Sequence, residues 1–306
     1  EHVEPAASNF DAESVGVLGA DKADRPFPDG IIDLEAMLDP AATGTPDHID
    51  ANAGGLDDTA MLIFTSGTTG MPKPAKITNR RWALAALGTA AGCQLSPRDT
   101  VYCALPLYHA TGLLVACGGA LVGGARLALA REFSASRFWP EVRRYGATVV
   151  PYVGELCRYL VNAPERDGED NHPVRLFVGN GMRPDVWHEL LDRFGPVRVI
   201  EFYGSTEGNV VLANLTGEKV GSVGRPLPGT DQTALVRYDT GSDAPVRDDD
   251  GHLVRVDDGE PGLLVARIAD DHPLAHFEGY LNPDQTERKI IRDAFTDGDA
   301  WFNSGD

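Results

Sequence analysis

The chain is short of basic residues, of cysteine and of long apolar runs, and each shortage excludes something. Its 306 residues include 27 Lys or Arg against 46 Asp or Glu, a formal net charge of −19. A nucleic-acid partner needs a basic footprint, so that class is set aside. An anionic nucleotide is not excluded, because exposed charges are screened beyond about 8 Å at physiological salt. Residues 1–58 carry 14 of the acids against only Lys22 and Arg25, which puts much of the excess in the lead segment. The four cysteines, Cys93, Cys103, Cys117 and Cys157, form no Cys-x-x-Cys pair and sit among apolar neighbours. They read as buried free thiols of a reducing compartment. No run reaches the roughly 18 apolar residues of a membrane helix, and the nearest, residues 110–125, is broken by glycines and reads as a buried helix. Metal-site spacing is missing too. His272 and His276 stand four apart, but Pro273 lies between them and no Glu-x-x-His follows, so they read as a solvated turn. No secretory leader is evident, and Glu1 in place of a methionine suggests a fragment.

What is present is a rhythm that changes twice. Residues 1–58 are rich in Ala, Asp, Gly and Pro, with one short amphipathic piece from Ile31 to Leu38, and read as an acidic lead segment or linker. From Thr59, strands alternate with helices. Apolar strands are expected over 60–64, 100–105, 126–130, 148–150, 175–178 and 197–202. Helices are expected over 80–91 with Thr78 as N-cap, 113–121, from Ser134 or Ser136 to Arg144, 155–161, and from Pro184 to Phe194. Short continuous apolar strands alternating with helices predict an α/β unit over 59–207, a parallel sheet covered by helices. Beyond Gly208 the strands are short and punctuated by Gly, Asp and Pro: 220–223, 232–238, 252–256 and 263–268. That pattern predicts a small antiparallel, β-barrel-like subdomain over 208–306. Within it, Asp248-Asp249-Asp250-Gly251 reads as a hairpin turn rather than a cation site.

In parallel sheets, ligands gather beyond the carboxyl ends of the strands. One polar cluster follows Phe64: Thr65-Ser66-Gly67-Thr68-Thr69-Gly70-Met71-Pro72-Lys73. Hydroxyls and bare glycine amides suit anionic oxygens, and a lysine adds a point charge. The spacing is not that of the common nucleotide loop, in which Lys directly follows Gly; the plain alternative is a Ser/Thr/Gly surface turn. A second cluster, Gly179-Asn180-Gly181, follows Val178. A third, Tyr203-Gly204-Ser205-Thr206-Glu207-Gly208, follows Phe202. The strand over 100–105 delivers Pro106-Leu107-Tyr108-His109 to the same edge. Several such clusters on one rim point to a phosphate-bearing ligand.

Thr65–Lys73 together with Tyr203-Gly204-Ser205-Thr206-Glu207 resemble the phosphate loop and the Tyr-Gly-x-Thr-Glu motif of the adenylate-forming enzymes, which include acyl-CoA synthetases, luciferases and peptide-synthetase adenylation domains. The terminal Phe302-Asn303-Ser304-Gly305-Asp306 is similar to that superfamily's Thr-Gly-Asp motif, with Ser304 in the threonine place. The stretches Tyr152–Leu160 and Gly179–Trp187 look like the branch of fatty acid transport proteins and very-long-chain acyl-CoA synthetases. The resemblance runs from about Thr59 to Asp306.

It implies the superfamily's N-terminal-domain core and ATP-dependent activation of a long- or very-long-chain fatty acid to acyl-adenylate, then acyl-CoA. The implied roles are these: Thr65, Ser66, Gly67, Thr68, Thr69, Gly70 and Lys73 around the β- and γ-phosphates; Thr65 and Glu207 on magnesium; Thr206 at the α-phosphate. Gly179, Asn180, Gly181, Phe202, Tyr203 and Gly204 would wall the adenine, Tyr203 by stacking. Ser205 would be a further nucleotide-binding residue, Asp306 would accept the ribose hydroxyls, and His109 would stand where the acyl tunnel meets ATP. Lys73, Thr206, Glu207 and His109 are thus the expected catalytic set, with ATP, Mg2+ and CoA as cofactors or co-substrates. In the family a C-terminal domain beyond this point brings a further lysine; Lys22, Lys73, Lys76, Lys219 and Lys289 are not in its context. Pro74 stands where glycine or alanine is common. A cytoplasmic setting is expected, with contact at the inner face of a membrane and self-association left open. Two alternatives remain: delivery of the adenylate to a carrier-protein thiol, and a non-catalytic fatty acid binding or transport protein.

Overall fold

The computed structural model describes residues 15–17, 31–33, 54–65, 71–227, 232–269 and 275–306. The chain divides into a unit over Glu1–Ala53 and a unit over Gly54–Asp306. In the first, β1 (Val15–Val17) pairs in parallel with β2 (Ile31–Asp33).

In the second unit, β3 (Thr59–Thr65) does not lead directly into a helix. The chain returns as β4 (Lys73–Thr78), antiparallel to β3, with Thr65 opposite Lys73. The sequence offered no apolar run over 73–78 to announce β4, because Lys73, Pro74 and Lys76 interrupt it. Pro74 is accommodated in this two-stranded ribbon, and its carbonyl accepts from the Leu281 amide at 2.9 Å. Thr78, extended in backbone, then caps α1 (Asn79–Gly92) by accepting from the Arg81 amide at 3.2 Å. The Ala- and Leu-rich interior of that helix suits helical propensity.

The main sheet has seven strands in the order β11-β10-β9-β8-β7-β5-β6. These are β5 (Thr100–Cys103), β6 (Arg126–Leu129), β7 (Val149–Val153), β8 (Leu176–Asn180), β9 (Arg198–Gly204), β10 (Val211–Asn214) and β11 (Arg225–Pro226). β5 to β9 run parallel, and β10 and β11 add an antiparallel edge. β10 replaces the strand expected over 220–223. The helices between the strands are α2 (Gly119–Gly123), α3 (Ala135–Tyr145), α4 (Gly154–Val161) and α5 (Pro184–Phe194). The helix expected over 113–121 begins earlier and is wider: Thr111–Gly118 is a π-helix that continues into α2. Tyr102, Tyr152, Phe138, Phe177, Trp187, Leu190 and Phe194 form the buried heart of the unit. Each such side chain contributes about 1.5–3 kcal/mol by leaving water.

A four-stranded antiparallel sheet follows, in the order β12-β15-β17-β16, from β12 (Thr233–Val236), β15 (Leu263–Arg267), β16 (Ile290–Arg292) and β17 (Ala300–Asn303). Two short strands, β13 (Tyr238–Asp239) and β14 (Ala244–Pro245), pair beside it. Among the described residues these sheets stay open, which corrects the expected barrel shape while keeping the antiparallel pattern. Residues 252–256, expected as a strand, contribute only isolated bridges at Leu253 and Arg255. The acidic run is a turn: the Asp248 carbonyl accepts from the Gly251 amide at 3.0 Å, and its carboxylate from Asp250 and His252 amides.

Candidate functional site

Because β5, β7, β8 and β9 run parallel, their carboxyl ends share one rim. Pro106–His109 leave it from β5, Gly154 from β7, Asn180-Gly181 from β8 and Gly204-Ser205 from β9. Thr65 and Lys73, which flank the hydroxyl loop, belong to the β3–β4 ribbon and not to a strand of the main sheet, unlike the sequence reading. The loop residues Ser66, Gly67, Thr68, Thr69 and Gly70 lie outside the described residues, as does His272.

A buried carboxylate shapes the Gly179-Asn180-Gly181 turn. Glu201, on β9, accepts from the Gly181 amide at 2.5 Å and the Met182 amide at 3.2 Å, and the Tyr152 hydroxyl donates to it. Burial pushes the Glu201 carboxyl above its usual range against the pull of these bonds, and burial with the Glu201 charge raises the Tyr152 phenol well above its own. The turn is drawn so close to β7 that a Cβ on Gly154 would lie 1.7 Å from the Gly181 carbonyl oxygen. Beside these, the Asn180 Oδ1 is buried without a hydrogen-bond partner. A buried acceptor left open in this way suits a ligand N–H.

At the next strand end, the Tyr203 hydroxyl donates to Asp306 Oδ2 at 2.5 Å, joining β9 to the last residue of the chain. Burial, with the Asp306 carboxylate beside it, raises the Tyr203 phenol. The turn that presents Asp306 is fixed by Ser304, whose hydroxyl donates to the Leu264 carbonyl at 2.7 Å and accepts from the Asp306 amide at 3.1 Å. Both bonds need only the hydroxyl, so serine serves in the threonine place.

The centre of the site is Glu207, which is buried. The Tyr280 phenol is raised by burial first and then by the Glu207 carboxylate, while the Thr65 hydroxyl pulls it the other way. Lys73 holds its Nζ 5.8 Å from the centroid of the same Tyr280 ring. On the other side, Lys289 Nζ lies 3.9 Å from Glu207 Oε1. Arg81, on the first turn of α1, donates to the Ser205 carbonyl at 2.7 Å and feels the charges of Glu278 and Glu207. Glu278 in turn accepts from the Thr78 amide at 3.1 Å and from the Thr78 hydroxyl, which locks the α1 start against the segment that carries Tyr280. Close packing leaves no room at Gly208: a Cβ there would lie 2.2 Å from Ser205 Oγ and 2.3 Å from the Phe302 ring.

The structure therefore brings Thr65, Lys73, Ser205 and Glu207 into one neighbourhood, with Tyr203 and Asp306 paired alongside. Thr206 is half-buried between Ser205 and Glu207, Gly204 is the exposed end of β9, and Phe202 packs against the main core. His109 is exposed and bonds locally: its Nδ1 accepts from the Thr111 amide at 3.3 Å, at the start of the π-helix. Sequence reasoning missed Arg81, Glu201, Glu278, Tyr280 and Lys289. Only Glu201 left a signal, as the one acid inside the apolar strand 197–202.

Glu207 and Thr65 offer hard oxygen donors, and among the described residues no group of three or more His, Cys, Asp or Glu could hold a metal by itself. That set fits Mg2+, which keeps waters and takes substrate phosphate oxygens alongside one or two protein ligands.

Comparison with known proteins agrees with this geometry. The family described as AMP-binding enzyme matches residues 9–274, beginning well ahead of Thr59, where the sequence motifs start. The chain is 45% identical over 276 residues to the medium/long-chain-fatty-acid–CoA ligase FadD6 of Mycobacterium tuberculosis, covering 90% of this chain and 45% of that protein. It is 42% identical over 282 residues to the human long-chain fatty acid transport protein 3, covering 91% and 41%. Among solved structures, ATP-bound MatB from Rhodopseudomonas palustris superimposes with a TM-score of 0.66 at 26% identity, over 83% of this chain and 46% of that one. The chain spans less than half the length of these relatives.

Proposed function

This chain belongs to the family of AMP-binding enzymes, and from that premise we propose that it is the nucleotide- and acyl-binding core of a long-chain fatty acid–CoA ligase. The observation that carries the reading is the set of charges gathered around buried Glu207: Lys289 Nζ lies 3.9 Å from its carboxylate, Arg81 donates to the neighbouring Ser205 carbonyl, and Lys73 lies over the ring of Tyr280, beside the hydroxyl loop. Similarity to a fatty-acid–CoA ligase and to fatty acid transport proteins supports the acyl class of substrate.

In this reading the fatty acid carboxylate attacks the α-phosphorus of ATP, pyrophosphate leaves, and a thiol then displaces AMP from the acyl-adenylate. Lys73, with the hydroxyls and amides of 65–70, holds the β- and γ-phosphates; each charge-assisted bond there contributes about 1.5–3 kcal/mol. Thr206 touches the α-phosphate. Asp306, fixed by Tyr203, accepts the ribose hydroxyls. The Glu201-clamped turn presents Gly179, Asn180 and Gly181 to the adenine, where the open Asn180 acceptor suits an exocyclic amine. His109 stands at the meeting of acyl chain and nucleotide. When bound, Mg2+ held by Glu207 and Thr65 supplies charge to offset the phosphates. CoA is the thiol acceptor of the whole protein, which we place in the cytoplasm with access to membrane-derived fatty acid.

Similarity to a long-chain fatty acid transport protein favours one competing reading, fatty acid capture and transport without chemistry. The test is made on the full-length parent protein, incubated with ATP, magnesium, a C16 fatty acid and either CoA or a phosphopantetheinylated carrier. The proposal expects acyl-CoA, abolished by Lys73→Ala and by Glu207→Ala. Product on the carrier alone would transfer the reaction to the other thiol, and lipid uptake untouched by both substitutions would favour transport.

A further inference from the structure

Groups from three separate segments act electrostatically on the Glu207 carboxylate: the Tyr280 phenol, the Arg81 guanidinium from α1, and the Lys289 ammonium, which lies 3.9 Å from it. Lys289 differs from the others in how it is held. At 3.9 Å from Oε1 it attracts the carboxylate without hydrogen-bonding it. Its hydrogen bond goes instead to the Ser304 carbonyl at 3.1 Å, and its Nζ rides 5.7 Å from the centroid of the Phe302 ring. The backbone of Lys289 is pinned as well. Its amide donates to Thr286 at 3.0 Å, and its carbonyl accepts from Asn303 at 2.8 Å. A fixed positive charge therefore stands between the carboxylate of Glu207 and the 304–306 turn that carries Asp306. It leaves the oxygen lone pairs of Glu207 available, and at least one of its own three N–H donors is satisfied by Ser304.

We infer that Lys289 is a positioning residue for nucleotide binding: a resident cation that offsets the charge of Glu207 and ties it to the Ser304–Asp306 turn. The inference rests on the nucleotide reading of the site. An anionic nucleotide that approaches without a metal meets a carboxylate already compensated by Lys289, Arg81 and Tyr280. When magnesium accompanies the nucleotide, its charge takes over part of that compensation. Loss of the lysine charge is therefore felt more strongly without the metal than with it.

The experiment is calorimetric titration of ATP into this chain and into Lys289→Gln and Lys289→Arg, once in excess EDTA and once in excess magnesium chloride, with thermal melting to verify the fold. Lys289→Gln keeps an N–H donor for Ser304 but removes the charge. It is expected to weaken ATP binding in EDTA by about fivefold, with a smaller loss in magnesium, and Lys289→Arg to restore binding to within about twofold in both. An equal loss in the two conditions, or none in either, overturns the inference while the nucleotide reading stands. Wild-type chain that is folded and binds no ATP in either condition overturns the nucleotide reading, and the role of Lys289 falls with it.

Discussion

Tyr280 is where single atoms matter most. Its phenol is raised by burial and then by the nearby Glu207 carboxylate, so Tyr280→Phe removes a hydroxyl that acts on Glu207 while the ring remains under Lys73. A hydrogen bond to a charged group contributes about 1.5–3 kcal/mol, so Tyr280→Phe is expected to weaken magnesium–ATP binding roughly tenfold, with little change in melting temperature. Unchanged affinity would remove Tyr280 from the site. Gly208 is expected to behave oppositely. A methyl there meets Ser205 and Phe302, and overpacking of this kind costs about 1–3 kcal/mol; Gly208→Ala should lower the melting temperature and the nucleotide affinity together. The sequence made some of these residues legible and hid others for a simple reason. Thr65, Lys73 and Glu207 stand in dense local runs of hydroxyl, glycine and charge. Tyr280 and Lys289 reach Glu207 from more than 70 positions away in the chain, and nothing in their own neighbourhoods marks them.

The elements divide along the same line between local and distant signals. α1, α3, α4 and α5 were legible because caps and apolar periodicity are written in adjacent residues, as with Thr78 before α1 and Pro184 at the start of α5. β4 was not, since its strand character comes from pairing with β3 across the loop. The π-helix over Thr111–Gly118 was read as an ordinary helix, because the same small and apolar residues serve either winding. Two buried acids, Glu201 on β9 and Asp99 just before β5, can be removed and the loss measured. Glu201→Ala would strand the Tyr152 hydroxyl and the Gly181 and Met182 amides, and is expected to cost about 3 kcal/mol in a denaturant titration; a cost near zero would show that the clamp is dispensable. Asp99 precedes β5 and accepts from Arg175 at 2.9 Å, from Thr148 at 2.8 Å and from Ser96. Burial alone would raise its carboxyl, but the bonds from Arg175, Thr148 and Ser96 hold it at about 2. The unfolded chain titrates near 3.9, so the contribution of Asp99 is complete above that pH and is lost as pH falls through the folded value of about 2. With Arg175 partly in solvent, the contribution is about 1–2 kcal/mol. The stability gap between wild type and Asp99→Asn should therefore be constant from pH 7 to 5 and close toward pH 2. A gap independent of pH would contradict the ion-pair origin.

For the molecule as a whole, three of the four cysteines are packed inside the fold. Cys93, Cys103 and Cys157 are buried, and burial raises all three thiols, Cys93 to about 11. A thiol reagent applied to the folded chain is expected to modify Cys117 first, and the other three only after unfolding; rapid native labelling of Cys157 would contradict the packing of α4 on the sheet. The strand ends of the α/β sheet, the β3–β4 ribbon and the 304–306 turn carry the residues proposed for nucleotide binding, and the chain belongs to the family of AMP-binding enzymes. The most direct test is calorimetric titration of magnesium–ATP into the folded chain and into Lys73→Ala. Saturable binding that the Lys73→Ala substitution weakens at least tenfold is the result expected from a cation that holds the terminal phosphates. A folded wild-type chain that takes up no ATP, or one whose affinity is indifferent to Lys73, would contradict it.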